Sequence, residues 1–168
     1  MKKLFVMLMA LSISGSVFSQ EKDVVDIATG SADHTTLVAA VKAADLVTTL
    51  KSEGPFTVFA PTNDAFAKLP AGTVESLLEP ENKDQLTKIL TYHVVSGNLD
   101  AESVIAAINE GNGNVELTTV SGGKLNASIE NGKVKLTDES GSSAFVTATD
   151  LKGSNGVIHV IDGVVLPM

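Results

Sequence analysis

The chain contains no cysteine, which excludes both a disulfide framework and the thiol on which a lipid anchor is built. Its fold is therefore held by packing alone. Basic runs are missing as well, with 12 Lys and Arg against 20 Asp and Glu and a formal net charge of -8. Nucleic acids and anionic lipid surfaces are bound by positive charge that displaces counterions, so neither is expected as a partner. Aromatic residues, at 4% of the chain, add nothing to such a role.

No stretch reaches the ~20 apolar residues needed to span a bilayer. The longest apolar run, Leu4 to Phe18, is interrupted by Ser12, Ser14 and Ser16. With Lys2 and Lys3 before it and Val17-Phe18-Ser19 after it, it follows the three-part pattern of an export signal cut after Ser19. The expectation is a signal peptide over residues 1–19 and a single mature domain over residues 20–168, with its core at about 23–167. Such a chain carries no transmembrane segment or lipid anchor and is destined for the periplasm or the cell exterior. Cleavage removes two lysines and takes the formal charge to -10. A domain of this size buries roughly two-thirds of the surface its unfolded chain exposes, enough for independent stability.

Signatures of catalysis are also lacking. His34, His93 and His159 are the three histidines, and none has a histidine four residues away or a cysteine companion, so no zinc signature forms. There is no nucleophile elbow, Gly111 and Gly113 open no phosphate loop, and Asp23, Asp26 and Asp33 lack the alternation of a calcium hand. Asn126-Ala127-Ser128 has the letters of a glycosylation sequon but lies in an expected strand. Without convergent reactive groups the chain reads as non-enzymatic, with no cofactor and no metal.

What is present divides into a helical first two-thirds and a strand-rich remainder. Leu37, Val38, Val41 and Leu46 recur at helical spacing behind a cap at Asp33 or Thr35. Phe56 to Ala60 reads as a strand, and Pro61-Thr62-Asn63-Asp64 turns it into a new helix, with Thr62 or Asn63 as cap and Asp64 at the positive end of the dipole. A short helix follows around Val74 to Leu78. Another runs from Glu81 to about Thr91 with Leu86, Ile89 and Leu90 on one face, and a third starts at Asp100 and stops at Gly111. Strands are expected at Val115–Val120, Lys124–Ile129, Lys133–Thr137, Phe145–Ala148 and Val157–Ile161. Asn131-Gly132 predicts a two-residue hairpin turn that sets Glu130 opposite Lys133, Ile129 opposite Val134 and Ala127 opposite Leu136. Segregated helices and mostly antiparallel strands define an α+β domain.

Three stretches carry more than periodicity: Thr57 to Phe66 (Thr-Val-Phe-Ala-Pro-Thr-Asn-Asp-Ala-Phe), Tyr92 to Gly97 (Tyr-His-Val-Val-Ser-Gly), and Asn155 to Pro167 (Asn-Gly-Val-Ile-His-Val-Ile-Asp-Gly-Val-Val-Leu-Pro). In this order and spacing they resemble the fasciclin-like domain family (beta-Ig-H3/fasciclin), here as a single-domain secreted bacterial member. The resemblance implies a twisted antiparallel β-sandwich or wedge with helices packed around it, closed by a pair of strands joined at Asp162-Gly163. It also implies non-catalytic adhesion: a monomer binding a cell-surface or matrix protein or an extracellular polysaccharide.

In animal relatives the tyrosine-histidine segment is assigned to receptor contact, which makes Ile89, Tyr92, His93, Val94 and Val95 the candidate binding segment, with Asn63 and Asp64 as secondary contacts. The bacterial look of the signal sets an animal receptor aside. The same residues also fit a structural role, with His93 holding a turn, the aliphatics filling the core and Tyr92 keeping its hydroxyl at the rim. His159, within an apolar run, reads as a core side chain with a backbone partner. An alternative function is a soluble carrier or sensor holding a small apolar ligand in a groove between helices and sheet.

Overall fold

The computed structural model describes residues 21–168, so the expected signal peptide and its cleavage site lie outside the described residues. The apolar residues near the start of the described chain form α1 (Val24–Thr29), capped by Asp23, whose carboxylate accepts from the Asp26 amide. A 3-10 turn at Ala32–His34 leads into α2 (Thr35–Ala43), which is followed by α3 (Val47–Leu50). The cap expected at Asp33 or Thr35 is not made by either residue. Instead Asn63, distant in sequence, accepts from the Thr36 amide at 3.0 Å.

Strand β1 (Phe56–Pro61) then runs into α4 (Asn63–Ala67), where Thr62 is the cap and accepts from the Ala65 amide. The short α5 (Thr73–Leu77) and a 3-10 turn at Pro80–Asn82 precede α6 (Lys83–Tyr92). Strand β2 (Val94–Ser96) and helix α7 (Ala101–Glu110) follow, the latter capped by Asp100 and ended at Gly111.

The remaining strands are β3 (Asn114–Thr118), β4 (Lys124–Glu130), β5 (Lys133–Thr137), β6 (Ser143–Gly153) and β7 (Gly156–Ile161). The hairpin at Asn131-Gly132 forms in the expected register, with Glu130 opposite Lys133, Ile129 opposite Val134 and Ala127 opposite Leu136. Both turn residues have positive φ, 52° and 76°, which is the geometry that matches the twist of the flanking strands.

Together the strands make one seven-stranded sheet in the order β2-β1-β7-β6-β5-β4-β3. It is mixed rather than purely antiparallel, because β1 and β7 pair in parallel from Phe56–Gly156 to Pro61–Ile161. Its two edges meet where Val95 bridges Thr119 and the Val120 amide donates to the Val94 carbonyl. The sheet is thereby nearly a barrel.

Most expected strands form within two residues of their expected ends, β3 for instance running from Asn114 to Thr118, but two expectations fail by more. β6 was expected to stop at Ala148 but continues through mostly exposed, polar residues to Gly153, because its ladder with β7 carries on past two irregularities near Thr147 and Asp150. The closing pair of strands expected around Asp162-Gly163 does not form. After Ile161 the chain leaves the sheet, and the amides of Val165 and Leu166 donate to the side chains of His93 and Asp138 rather than to a neighbouring strand.

Alternation along the central strands feeds two cores, since successive side chains point to opposite faces. Val58, Ala60 and Ile158 face helices α1 to α6 and join Leu37, Val41, Leu86 and Leu90. Phe59 and Ile161 face the barrel interior, where Leu125, Leu136 and Ala127 meet Val104 and Ile108 of α7. Buried on both sides, β7 is covered along its whole length, as its unbroken apolar run requires.

Gly156 sits where β7 starts against β1, and a Cβ there would fall 2.1 Å from the Phe56 carbonyl oxygen. Backbone in a parallel ladder cannot yield. Gly156→Ala is therefore expected to lower the unfolding free energy by about 3 kcal/mol or more, measured by urea denaturation; a loss below about 1 kcal/mol would contradict the close approach.

Candidate functional site

The Tyr92–Val95 segment sits where α6 hands over to β2, and the amphipathic pattern of α6 turns it inward. Tyr92 and His93 are 0% and 2% exposed, and Ile89, Val94 and Val95 are also buried. The His93 imidazole is held from both sides. Its Nε2 accepts the Val165 amide at 3.2 Å, so the ring proton resides on Nδ1 and is donated to the Ile89 carbonyl at 2.8 Å. One ring thus ties the end of α6 to the terminal stretch.

Burial also dictates the charge state, because an imidazolium in this setting loses its hydration. Desolvation outweighs the opposing effects of the Ile89 carbonyl and the Asp138 charge, and pulls the His93 pKa down from 6.5 to about 4. His34, buried with its Nδ1 at 2.8 Å from Ser31 Oγ, is shifted in the same direction for the same first cause.

Tyr92 packs its ring in the barrel interior and donates its hydroxyl to the Lys124 carbonyl, while accepting from the Glu139 amide at 3.3 Å. Burial pushes its phenol pKa up. Next to it, Asp138 is a buried carboxylate that sequence periodicity did not single out. One oxygen accepts from the Ser140 and Ser142 amides and the Ser140 hydroxyl, and the other from the Leu166 amide. The Asp-Glu-Ser-Gly-Ser run of residues 138–142 carries a local turn signal for the first oxygen's partners; the second oxygen's partner is far away in sequence.

Asn63 and Asp64 occupy the start of α4. Asn63 accepts from Thr36 and donates to the Ala32 carbonyl at 2.9 Å, splicing α4 to α2. Asp64 is exposed.

The third histidine, His159, stacks on Phe59 with ring centroids 5.7 Å apart and donates from Nε2 to the Leu99 carbonyl at 2.6 Å. His93 instead borders a cavity with Val58, Ala60 and Ile158. The two rings therefore serve different cores and do not converge. Among the described residues no group of three His, Cys, Asp or Glu is arranged to hold a metal ion.

With this geometry in view, the chain matches the Fasciclin domain model over residues 32–167. It belongs to the fasciclin domain family. Among its relatives, protein sll1483 of Synechocystis is 53% identical over 155 residues, covering 92% of this chain and 79% of that protein. Immunogenic protein MPB70 of Mycobacterium bovis is 34% identical, covering 90% of this chain and 73% of that protein. Transforming growth factor-beta-induced protein ig-h3 of Sus scrofa is 38% identical over 86% of this chain, yet the matched part is only 19% of that longer protein.

A solved FAS1 domain pair from the insect cell adhesion molecule fasciclin I superposes with a TM-score of 0.52 at 20% identity, covering 76% of this chain and 40% of that one. That likeness bears on the fold alone. The fasciclin domain reading thus accounts for the mixed sheet with helices around it.

Two outcomes follow for these side chains. An unfolded His93 titrates near 6.5 and the folded one near 4, so its neutral form supports the fold by about 3 kcal/mol above pH 6.5. That support declines as pH falls from 6.5 toward 4, because the unfolded chain binds the proton first. Urea titrations should show this slope in the native protein and a flatter one in His93→Leu. Asn63→Ala should cost about 1–2 kcal/mol by stranding the Thr36 amide and Ala32 carbonyl, whereas Asp64→Ala should stay within about 0.5 kcal/mol.

Proposed function

We propose that this fasciclin domain acts outside the cytoplasm as a non-catalytic adhesion module, binding an extracellular protein or polysaccharide. The observation that carries the reading is the family match over residues 32–167. Support comes also from the chemistry of the interior, where the histidines are committed to core contacts rather than gathered in a cleft.

The contact is placed on the outer surface rather than on the Tyr92–Val95 side chains. What supports this is their burial and the engagement of both His93 nitrogens. Asp64 is retained as a surface candidate because it is exposed at the start of α4. Binding per domain is weak in this scheme and gains strength when many copies are displayed together.

Retention of the purified protein on intact producer cells and their extracellular matrix, measured across a salt series, tests the proposal. Saturable retention is expected, with an acidic surface giving a salt-dependent part. No retention at any salt would remove the adhesion reading. His93→Leu is expected to lower the melting temperature but leave retention by the folded fraction unchanged.

A further inference from the structure

Helices α1, α2 and α3 do not close completely onto the sheet. Between them and strands β1, β2 and β7 lies a cavity of about 200 Å³, floored by Val58, Ala60 and Ile158 and walled by Ala28, Val38 and Val47. The wall is almost wholly apolar, and it reaches solvent through half-buried Val25, Val38, Leu46 and Val47. Interiors normally pack to the density of organic crystals, so an apolar space of this size is suited to an apolar guest.

Polar groups along the cavity are mostly engaged. Both His93 nitrogens are bonded, and the Thr29 and Thr91 hydroxyls donate to backbone carbonyls within their own helices. Three charged residues, Asp26, Lys42 and Lys51, stand at the rim. Lys51 is held by Asp23 at 3.0 Å and Asp26 at 2.7 Å. Lys42, exposed near the end of α2, makes no ion pair among the described residues. In a strongly acidic chain, the mouth of the apolar cavity thus offers an uncommitted cation.

We propose that this cavity binds a medium-chain fatty acid, its tail against Val58, Ala60 and Ile158 and its carboxylate at Lys42. A cavity of about 150 Å³ admits benzene, so this one takes a tail of roughly eight carbons. The polarity follows from the lining, because no free donor waits inside to receive a carboxylate and one waits outside. The site is independent of surface adhesion and stands or falls separately from it.

Calorimetric titration of the protein at pH 7.5 with hexanoate, octanoate and decanoate, each below its micelle concentration, and with decanol below its solubility limit, tests the site. Expected is saturable one-to-one binding that strengthens roughly fourfold per methylene from hexanoate to octanoate and levels off as the cavity fills. Lys42→Ala, at an exposed position, should weaken decanoate roughly tenfold, as loss of a charge-assisted contact does, and leave decanol unchanged. Ala28→Leu, with folding verified by circular dichroism, should abolish binding of both. Absence of saturable binding for all four compounds overturns the proposal. So does an equal loss of acid and alcohol in Lys42→Ala, which removes the carboxylate's partner, or undiminished binding in folded Ala28→Leu, which places the ligand elsewhere.

Discussion

The parallel pairing of β1 with β7 is the constraint on which the rest of the domain depends. It joins Phe56–Pro61 to Gly156–Ile161 across about a hundred residues of sequence, and the sheet extends from it on both edges, with β2 beside β1 and β6 beside β7. The helical layer covers Val58, Ala60 and Ile158, and the barrel interior takes Phe59 and Ile161. A parallel pair buried on both faces needs unbroken apolar sequence and a close backbone approach, and Gly156 supplies the latter. With no disulfide available, this junction does the work of linking the chain's early and late segments.

Around it, irregular segments are fastened by single buried or half-buried polar side chains. Thr57 donates to the Gly97 carbonyl and accepts from the Leu99 amide, fixing the path from β2 to α7. Asn155 accepts from the Val24 amide and donates to the carbonyls of Leu50 and Ser52, gathering α1, the end of α3 and the β6–β7 turn. His93 and Asp138 hold the terminal stretch. Each is a partnered group whose removal strands backbone atoms, in a dry setting for Thr57, His93 and Asp138, which is why such positions carry more energy than their size suggests. Three of these four, Thr57, His93 and Asn155, lie in the motifs by which the family is recognised, so those motifs are in large part the record of these fastenings.

Local features were legible in the sequence because their causes are local. The Asn131-Gly132 turn imposes its register on two neighbouring strands, Asp100 and Thr62 cap helices a few residues away, and α6 declares its buried face through Leu86, Ile89 and Leu90. What was not legible depends on partners distant in the chain. The cap of α2 comes from Asn63, on another helix; the long end of β6 is polar, and only its ladder with β7 makes it a strand; and Val164–Leu166 looks like a strand but finds side chains where a partner strand was expected. The cavity rim was hidden for the same reason: Lys42 and Lys51 read alike in sequence, and only the position of Asp23 and Asp26 separates a paired lysine from an uncommitted one.

The link between β1 and β7 also bears on how the chain behaves while it is being made. β1 has emerged long before its parallel neighbour exists, and long-range pairing of this kind is slow to form. A chain ending before Gly156 lacks β7, so β1 has β2 on one edge but no parallel neighbour on the other, and His93 Nε2 is without the Val165 amide. Its sheet therefore stays incomplete until β7 has been made, and products truncated before β7 present an unpaired edge of β1 to proteases rather than persisting as native domains.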